Sequence, residues 1–311
     1  MFDIIRYTSE RKSEWDTFLE QSKNGTFLMK RDYMDYHSDR FMDCSLMFYL
    51  NAKLYALMPA NISGSTFYSH QGLTYGGLVM SEKCTTAEVL TLFHEMNSWL
   101  KALGVNKVLY KPVPAIYSNM PSEEDLYALF RCGAIQTTCG ISTTIRYDQL
   151  MKWHKDRHTA LNRAKRNHIT VRKTRSIKAF WPILAENLQT RHGVSPVHTL
   201  QEMELLISRF PEEIVLYEAV DAAGECVGGM LAYQTTRVLH SQYLAASSQG
   251  KKCGSIEAIM ETVLSENEFQ YFDFGISTEK GGQYLNEGLI YQKEGFGGRG
   301  ICYNTYEYTL S

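Results

Sequence analysis

The residues best suited to chemistry gather in the last third of the chain. Asp273 stands in YFDFGIS, an otherwise apolar run of strand character. A carboxylate there is either hydrogen-bonded structure or a base whose pKa is raised by burial. Side chains alternate along a strand, so Asp273 should face away from Phe272 and Phe274. Gly275 would let another group approach the backbone closely at the strand end. His240 and Tyr243 lie in VLHSQYLAAS. Alternation puts His240 and Gln242 on one face and Tyr243 on the other. An imidazole is the natural base near neutral pH, though a strand histidine also serves as a satisfied core residue. Lys293, in YQKEGFGG, reads either as a solvated helix-end cation beside Glu294 or as a cation turned toward a site.

Two further stretches suit anions. The loop SSQGKKCGS leads from a strand into an amphipathic helix. Free N–H groups at a helix start, with two lysines, suit a diphosphate. Gln249, Lys251, Lys252, Gly254 and Ser255 are therefore the candidate phosphate contacts, against the plainer reading of an exposed turn. Residues 152–175 carry nine Lys/Arg against one Asp. Arg163 and Arg166 are the candidate contacts of this run for an anionic substrate. Its aromatic content is low, so stacking of single-stranded bases is not expected. His154 and His158 are four residues apart, but no Glu follows His154, so the zinc-protease pattern fails and no metal is expected. His192 either caps its helix or faces a cleft. The chain shows no P-loop, no Gly-x-Ser-x-Gly elbow and no dinucleotide fingerprint.

These residues need a frame. A chain of 311 residues suggests about two domains. The net charge of −2 gives no global sign of a nucleic-acid partner. MFDIIRYTSERKSEW is not a signal peptide, and no apolar run is long enough to span a membrane. The seven cysteines form no Cys-x-x-Cys pair and read as free thiols in a reducing cytoplasm. Both halves run strand, two helices, three strands, helix, strand, helix, strand. Capping-box spacing marks helix starts at Thr85/Glu88 and Thr199/Glu202. Apolar stripes follow at Val89, Phe93, Met96 and Leu100, and at Ile256, Ile259, Met260 and Val263. Asp148 to His168 reads as a linking helix. The expected fold is α/β (α+β), with a mixed central sheet flanked by helices in each of two domains, 1–147 and 148–311. In such sheets ligands prefer the place where neighbouring strands diverge.

This order resembles the acyltransferase fold of the GNAT superfamily, present twice. The segments YFDFGIS…LNEGLIYQKEGFGG and QYLAASSQGKK resemble those of the FemAB-like (Fem-type) transferases. NGTFLMKRDYMDYHSDRFMDCSLMFYL and SHQGLTYGGLV are similar to segments of bacterial FemAB-related proteins associated with polysaccharide biosynthesis. The resemblance spans nearly the whole chain, and it is more specific for fold than for substrate. It implies transfer of an acyl or aminoacyl group to an amine of a sugar, nucleotide-sugar or peptide precursor. It implies a second domain that holds the donor, acetyl-CoA or another acyl-CoA, and a first domain that shapes the acceptor side. Lys293 would lie near the acyl group or a phosphate, with Asp273 or His240 as base. Tyr243, Ser277, Glu279 and Asn286 would contact substrate. Two departures bear on the donor. No sustained heptads form a coiled-coil arm. Lys251-Lys252-Cys253-Gly254-Ser255-Ile256 departs from the Gln/Arg-x-x-Gly-x-Gly/Ala loop of CoA-binding relatives. The alternatives are an aminoacyl-tRNA donor, suggested by the basic helix, and a non-catalytic module that binds an anion or partner.

Overall fold

The computed structural model describes residues 1–310, without the side chains of Arg191 and His192. Local signals place the helices. Thr85 Oγ1 accepts from the Glu88 N–H at the start of helix Thr86–Ala102. Thr199 and Glu202 form both bonds of a capping box before helix Leu200–Arg209. Each such cap is worth about 1 kcal/mol. The linking segment is shorter than its composition suggests. A 3₁₀ turn, Tyr147–Gln149, and an irregular stretch precede helix Lys155–Arg166.

The chain forms two compact units, and they are not its two contiguous halves. The first comprises Met1–Gly140, Thr278–Tyr284 and Cys302–Ser311; the second comprises Ile141–Ser277 and Leu285–Ile301. The expected boundary at 147/148 therefore cuts inside the second unit.

In the first unit, strands Phe2–Arg6, Leu46–Leu50, Lys53–Met58 and Val79–Met80 pair antiparallel in that order. Strand Thr66–Tyr68 pairs parallel with Lys107–Tyr110. Val89, Leu92, Phe93, Met96 and Leu100 of helix Thr86–Ala102 bury their stripe against Phe48, Ala56, Met58, Phe67 and Val108. This is the expected apolar face of an amphipathic helix.

The second unit repeats the plan. Strands Thr170–Thr174, Ile214–Val220, Cys226–Gln234 and Val238–Ala246 are joined antiparallel. Val238–Ala246 then pairs parallel with Tyr271–Ile276, which pairs antiparallel with residues 142–146. Ile256, Ile259, Met260 and Val263 of helix Ser255–Glu266 pack on Tyr217, Met230, Leu239, Phe272 and Phe274. Burying Phe272 and Phe274 on that side turns Asp273 to the opposite face, as alternation requires.

Candidate active site

The parallel ladder sets the site. Val238 pairs with Tyr271, Leu239 with Phe272 and His240 with Asp273, and there the pairing stops. Both strands continue, to Ala246 and Ile276, no longer paired with each other. His240 and Asp273 thus occupy the last paired position, at the mouth of the divergence that favours ligands.

They also bond to each other. His240 Nδ1 lies 2.8 Å from Asp273 Oδ2. Asp273 is fully buried, while the His240 side chain is 14% exposed. The other carboxylate oxygen accepts from Ser142 Oγ at 2.5 Å and Thr144 Oγ1 at 3.0 Å. A buried carboxylate survives only with such donors. An ionised carboxylate accepts and cannot donate, so Nδ1 carries the proton in this pair and Nε2 is left to act as base. Gly275 is required beside the ring. Its φ is +76°, and a Cβ there would stand 3.3 Å from His240 Cε1.

Lys293 completes the cluster. It lies near the end of helix Glu287–Glu294 and is buried. Its Nζ donates to the carbonyls of Gly275 at 2.7 Å and Ile276 at 2.9 Å. Burial lowers its pKa to about 8, against the opposing pull of Asp273. A poised, partly desolvated ammonium is suited to a developing oxyanion. The helix that carries it starts at Asn286, whose Oδ1 accepts from the Leu289 N–H at 3.0 Å. Asn286 therefore caps that helix through its side chain.

Tyr243 departs from the alternation. Leu231 pairs with Tyr243, Ala232 with Ser241 and Tyr233 with His240. Gln242 is the extra residue of a β-bulge, so Tyr243 and His240 share one face. Bulges re-aim side chains in this way. Tyr243 Oη bonds His198 Nδ1 at 2.7 Å, and Trp181 packs edge-on against its ring. His198, Trp181, Ser142 and Thr144 carried no signal in the sequence that pointed to the site. Ser277 is buried, its N–H donating to the Ile141 carbonyl and its carbonyl accepting from Asn286. Glu279 is exposed and belongs to the first unit. The His192 side chain lies outside the described residues.

The expected phosphate cradle is folded otherwise. Residues 248–253 form a short helix whose entry is capped by Ser247, its Oγ accepting from Gly250 N–H at 3.0 Å. Gly254 takes a left-handed φ of +84°, and a Cβ there would stand 2.2 Å from the Ala160 carbonyl. At Gly250 a Cβ would stand 2.0 Å from the Val227 carbonyl. These glycines serve chain packing, and helix Lys155–Arg166 lies over the place. Ser255 Oγ is buried between Gly228 and Gly250. The first turn of helix Ser255–Glu266 carries Glu257, buried and bonded to Arg157 at 2.7 Å. Glu257 and the Ala160 carbonyl thus lie near the helix start where the diphosphate of CoA was expected. Gln249 reaches Cys253 Sγ, Lys251 bonds the Asn187 side chain, and Lys252 is exposed.

Helix Lys155–Arg166 presents Arg163 to a groove of about 800 Å³, while Arg166 is exposed and donates to the Asn162 carbonyl at 3.3 Å. Among the described residues no group of three or more His, Cys, Asp or Glu side chains could hold a metal ion. The described residues also contain no helix long and apolar enough to cross a membrane.

No protein-family profile and no curated protein sequence matches the chain. Its fold is similar to solved structures. FemX aligns at 12% identity over 99% of this chain and 97% of its own, with a TM-score of 0.71. L-PGS from Bacillus licheniformis aligns at 14% identity over 97% and 92%, with a TM-score of 0.63. A tandem GNAT protein from the clavulanic acid biosynthesis pathway aligns at 10% identity over 100% and 99%, with a TM-score of 0.54. The fold is therefore similar to those of FemX and the tandem GNAT protein, as the sequence resemblance implied.

Proposed function

We propose that this chain transfers an acyl or aminoacyl group from an activated donor to an amine of a sugar, nucleotide-sugar or peptide precursor, of the kind used to build envelope polysaccharides. One observation carries the reading: an Asp273-held imidazole at the point where two parallel strands part, with a buried lysine beside it. In the reaction, His240 Nε2 takes the proton of the attacking amine. Asp273 holds the other ring nitrogen and stabilises the imidazolium that forms. Lys293 offers positive charge to the carbonyl oxygen as the carbonyl carbon becomes tetrahedral. Collapse of that intermediate breaks the C–S or C–O bond to the donor, and the imidazolium returns its proton to the departing thiolate or alkoxide. No covalent intermediate on the protein is needed.

A second reading concerns the donor. The packed start of helix Ser255–Glu266 disfavours a CoA thioester, and the cations of helix Lys155–Arg166 favour an aminoacyl-tRNA. Mass spectrometry of amine acceptors incubated with acyl-CoA thioesters, or with aminoacyl-tRNA, tests both. An amide product that forms with wild type and fails to form with H240A supports transfer, and the productive donor decides the second point. If neither donor gives an amide, and ligands bind H240A and D273N as they bind wild type, the chain is a binding module and the transferase reading is sunk.

A further inference from the structure

Strands Ile135–Arg146 and Arg299–Thr309 are neighbours in one sheet. Their facing residues fix the direction in which they run. In the first unit the Gln136 side chain donates to the Asn304 side chain at 3.1 Å. In the second unit a Cβ on Gly300 would stand 2.7 Å from Ile141 Cδ1, and one on Gly298 would stand 2.4 Å from Thr143 Cγ2. From Thr143 back to Gln136 the facing residue moves forward from Gly298 to Asn304, so the two strands are antiparallel. Two residues beyond Ile141 and Gly300, on the faces those residues use, stand Cys139 and Cys302. Both belong to the first unit.

The two thiols lie side by side. Cys302 is hydrogen-bonded to Cys139, and partial burial, then that bond and the charge of Cys139, raise the Cys302 thiol above its ordinary range. Opposed residues of an antiparallel ladder have Cα atoms about 4.5–5.5 Å apart. That falls inside the roughly 4.4–6.8 Å that a disulfide spans. The other cysteines lack this arrangement. Cys44, Cys84 and Cys253 are buried, and of all seven Cys302 alone is exposed. Cys132 accepts from the Asn97 amide, and Cys226 is bonded to the Gly228 carbonyl. An accessible sulfur with a second sulfur in reach is what exchanges with disulfides in solution.

We infer that Cys139 and Cys302 are a redox-active dithiol, a modification site that a low-molecular-weight disulfide, RSSR, converts to an internal disulfide. Cys302, the exposed sulfur, attacks RSSR as its thiolate. The S–S bond of the reagent breaks, a mixed disulfide forms, and one RS⁻ leaves and takes up the proton that the thiol released. Cys139 then attacks Cys302 Sγ in the same way, the Cys139–Cys302 bond forms, and the second RSH departs. The protein gives up two electrons and two protons, and RSSR is reduced to two RSH. The bond ties Cys302–Ser311 to Met1–Gly140 within the first unit, so the segment whose Tyr308 lies in that unit's core is fastened covalently. Closing so long a loop restricts the unfolded chain and thereby stabilises the folded one. The inference stands apart from the transferase reading.

The test is a thiol count on the full-length protein. Reduced protein is incubated with oxidised glutathione, then alkylated in denaturant and weighed by intact-mass spectrometry. Wild type should lose two of its seven alkylatable thiols without gaining glutathione, and dithiothreitol should restore both. Peptide mapping without reduction should find Cys139 joined to Cys302. C139S should stop at the mixed disulfide, with one glutathione on Cys302, and C302S should form no internal disulfide. Circular dichroism checks that the serine variants fold. Oxidation should also raise the thermal unfolding midpoint of wild type and leave that of C139S/C302S unchanged. Wild type that keeps all seven thiols, that carries glutathione with no internal bond, or that joins a different pair overturns the inference. So does a C139S protein that loses the same two thiols as wild type. An equal thermal shift in wild type and C139S/C302S overturns the fastening of the C-terminal segment.

Discussion

His240 Nδ1 and Asp273 Oδ2 stand 2.8 Å apart at the last paired position of two parallel strands. The bond fixes the tautomer. H240A should lower the transfer rate constant by about 10²–10⁴-fold. D273N should fall comparably for a different reason. An amide N–H facing Nδ1 would move the ring proton to Nε2, leaving no lone pair for the amine. Steady-state kinetics of both variants against pH checks this, and a D273N enzyme with full activity would refute the orientation of the dyad.

Lys293 titrates in a useful range. Burial brings its pKa to about 8, so its charge is present below that pH and lost above it. If the ammonium stabilises the oxyanion, the rate should fall as pH rises through about 8. K293M should be slower and should lack that alkaline limb. A limb that persists in K293M belongs to another group.

His70 makes the first unit sensitive to acid. It is buried, and burial first, then the charges of His37, Lys111 and Arg31, lower its pKa to about 3. The unfolded chain binds that proton near pH 6.5, whereas the folded chain resists it. Stability from this group is full above 6.5 and is lost as pH falls toward 3. Between pH 6.5 and 5 the loss should reach about 2 kcal/mol. His70 has a φ of +65°, which Asn tolerates, so H70N is the suitable control. Urea unfolding of wild type should weaken over this range, and that of H70N should weaken less.

Gly254 and Gly193 separate backbone strain from close packing. Both have positive φ, +84° and +65°. A methyl group at 193 meets nothing within 4 Å, and one at 254 meets the Ala160 carbonyl. G193A should cost about 1 kcal/mol. G254A should cost clearly more, because the Lys155–Arg166 helix must move. Thermal unfolding of the two variants side by side tests the difference.

Much of this architecture could be read from periodicity and caps. Thr85, Thr199 and the stripe from Ile256 to Val263 sit as their spacing requires. Asp273 and His240 stood out as single residues, since a carboxylate and an imidazole in apolar strands carry a local signal. Their pairing did not show, because register between strands 33 residues apart is a tertiary property. Gln242 gives no local mark of a bulge, so alternation misplaced Tyr243. Ser142 and Thr144 are unremarked polar residues in a terminal strand until Asp273 is set beside them. Gly250 and Gly254 are instructive in another way, since a Cβ at either would meet a backbone carbonyl of the chain itself. A glycine announces that something comes close to the backbone, and the sequence does not say whether that is a ligand or the chain itself.

The interleaved segments have a consequence for how this gene can be divided. A fragment that begins at residue 148 would keep His240, Asp273 and Lys293, yet it would lose residues 142–146 and with them both hydroxyl donors to Asp273. A fragment that ends at 147 would lack Cys302–Ser311, whose Tyr308 lies in the first unit's core. Neither half is a transplantable cassette, so recombination that swapped one at that seam would inherit the base without the shell that holds its carboxylate.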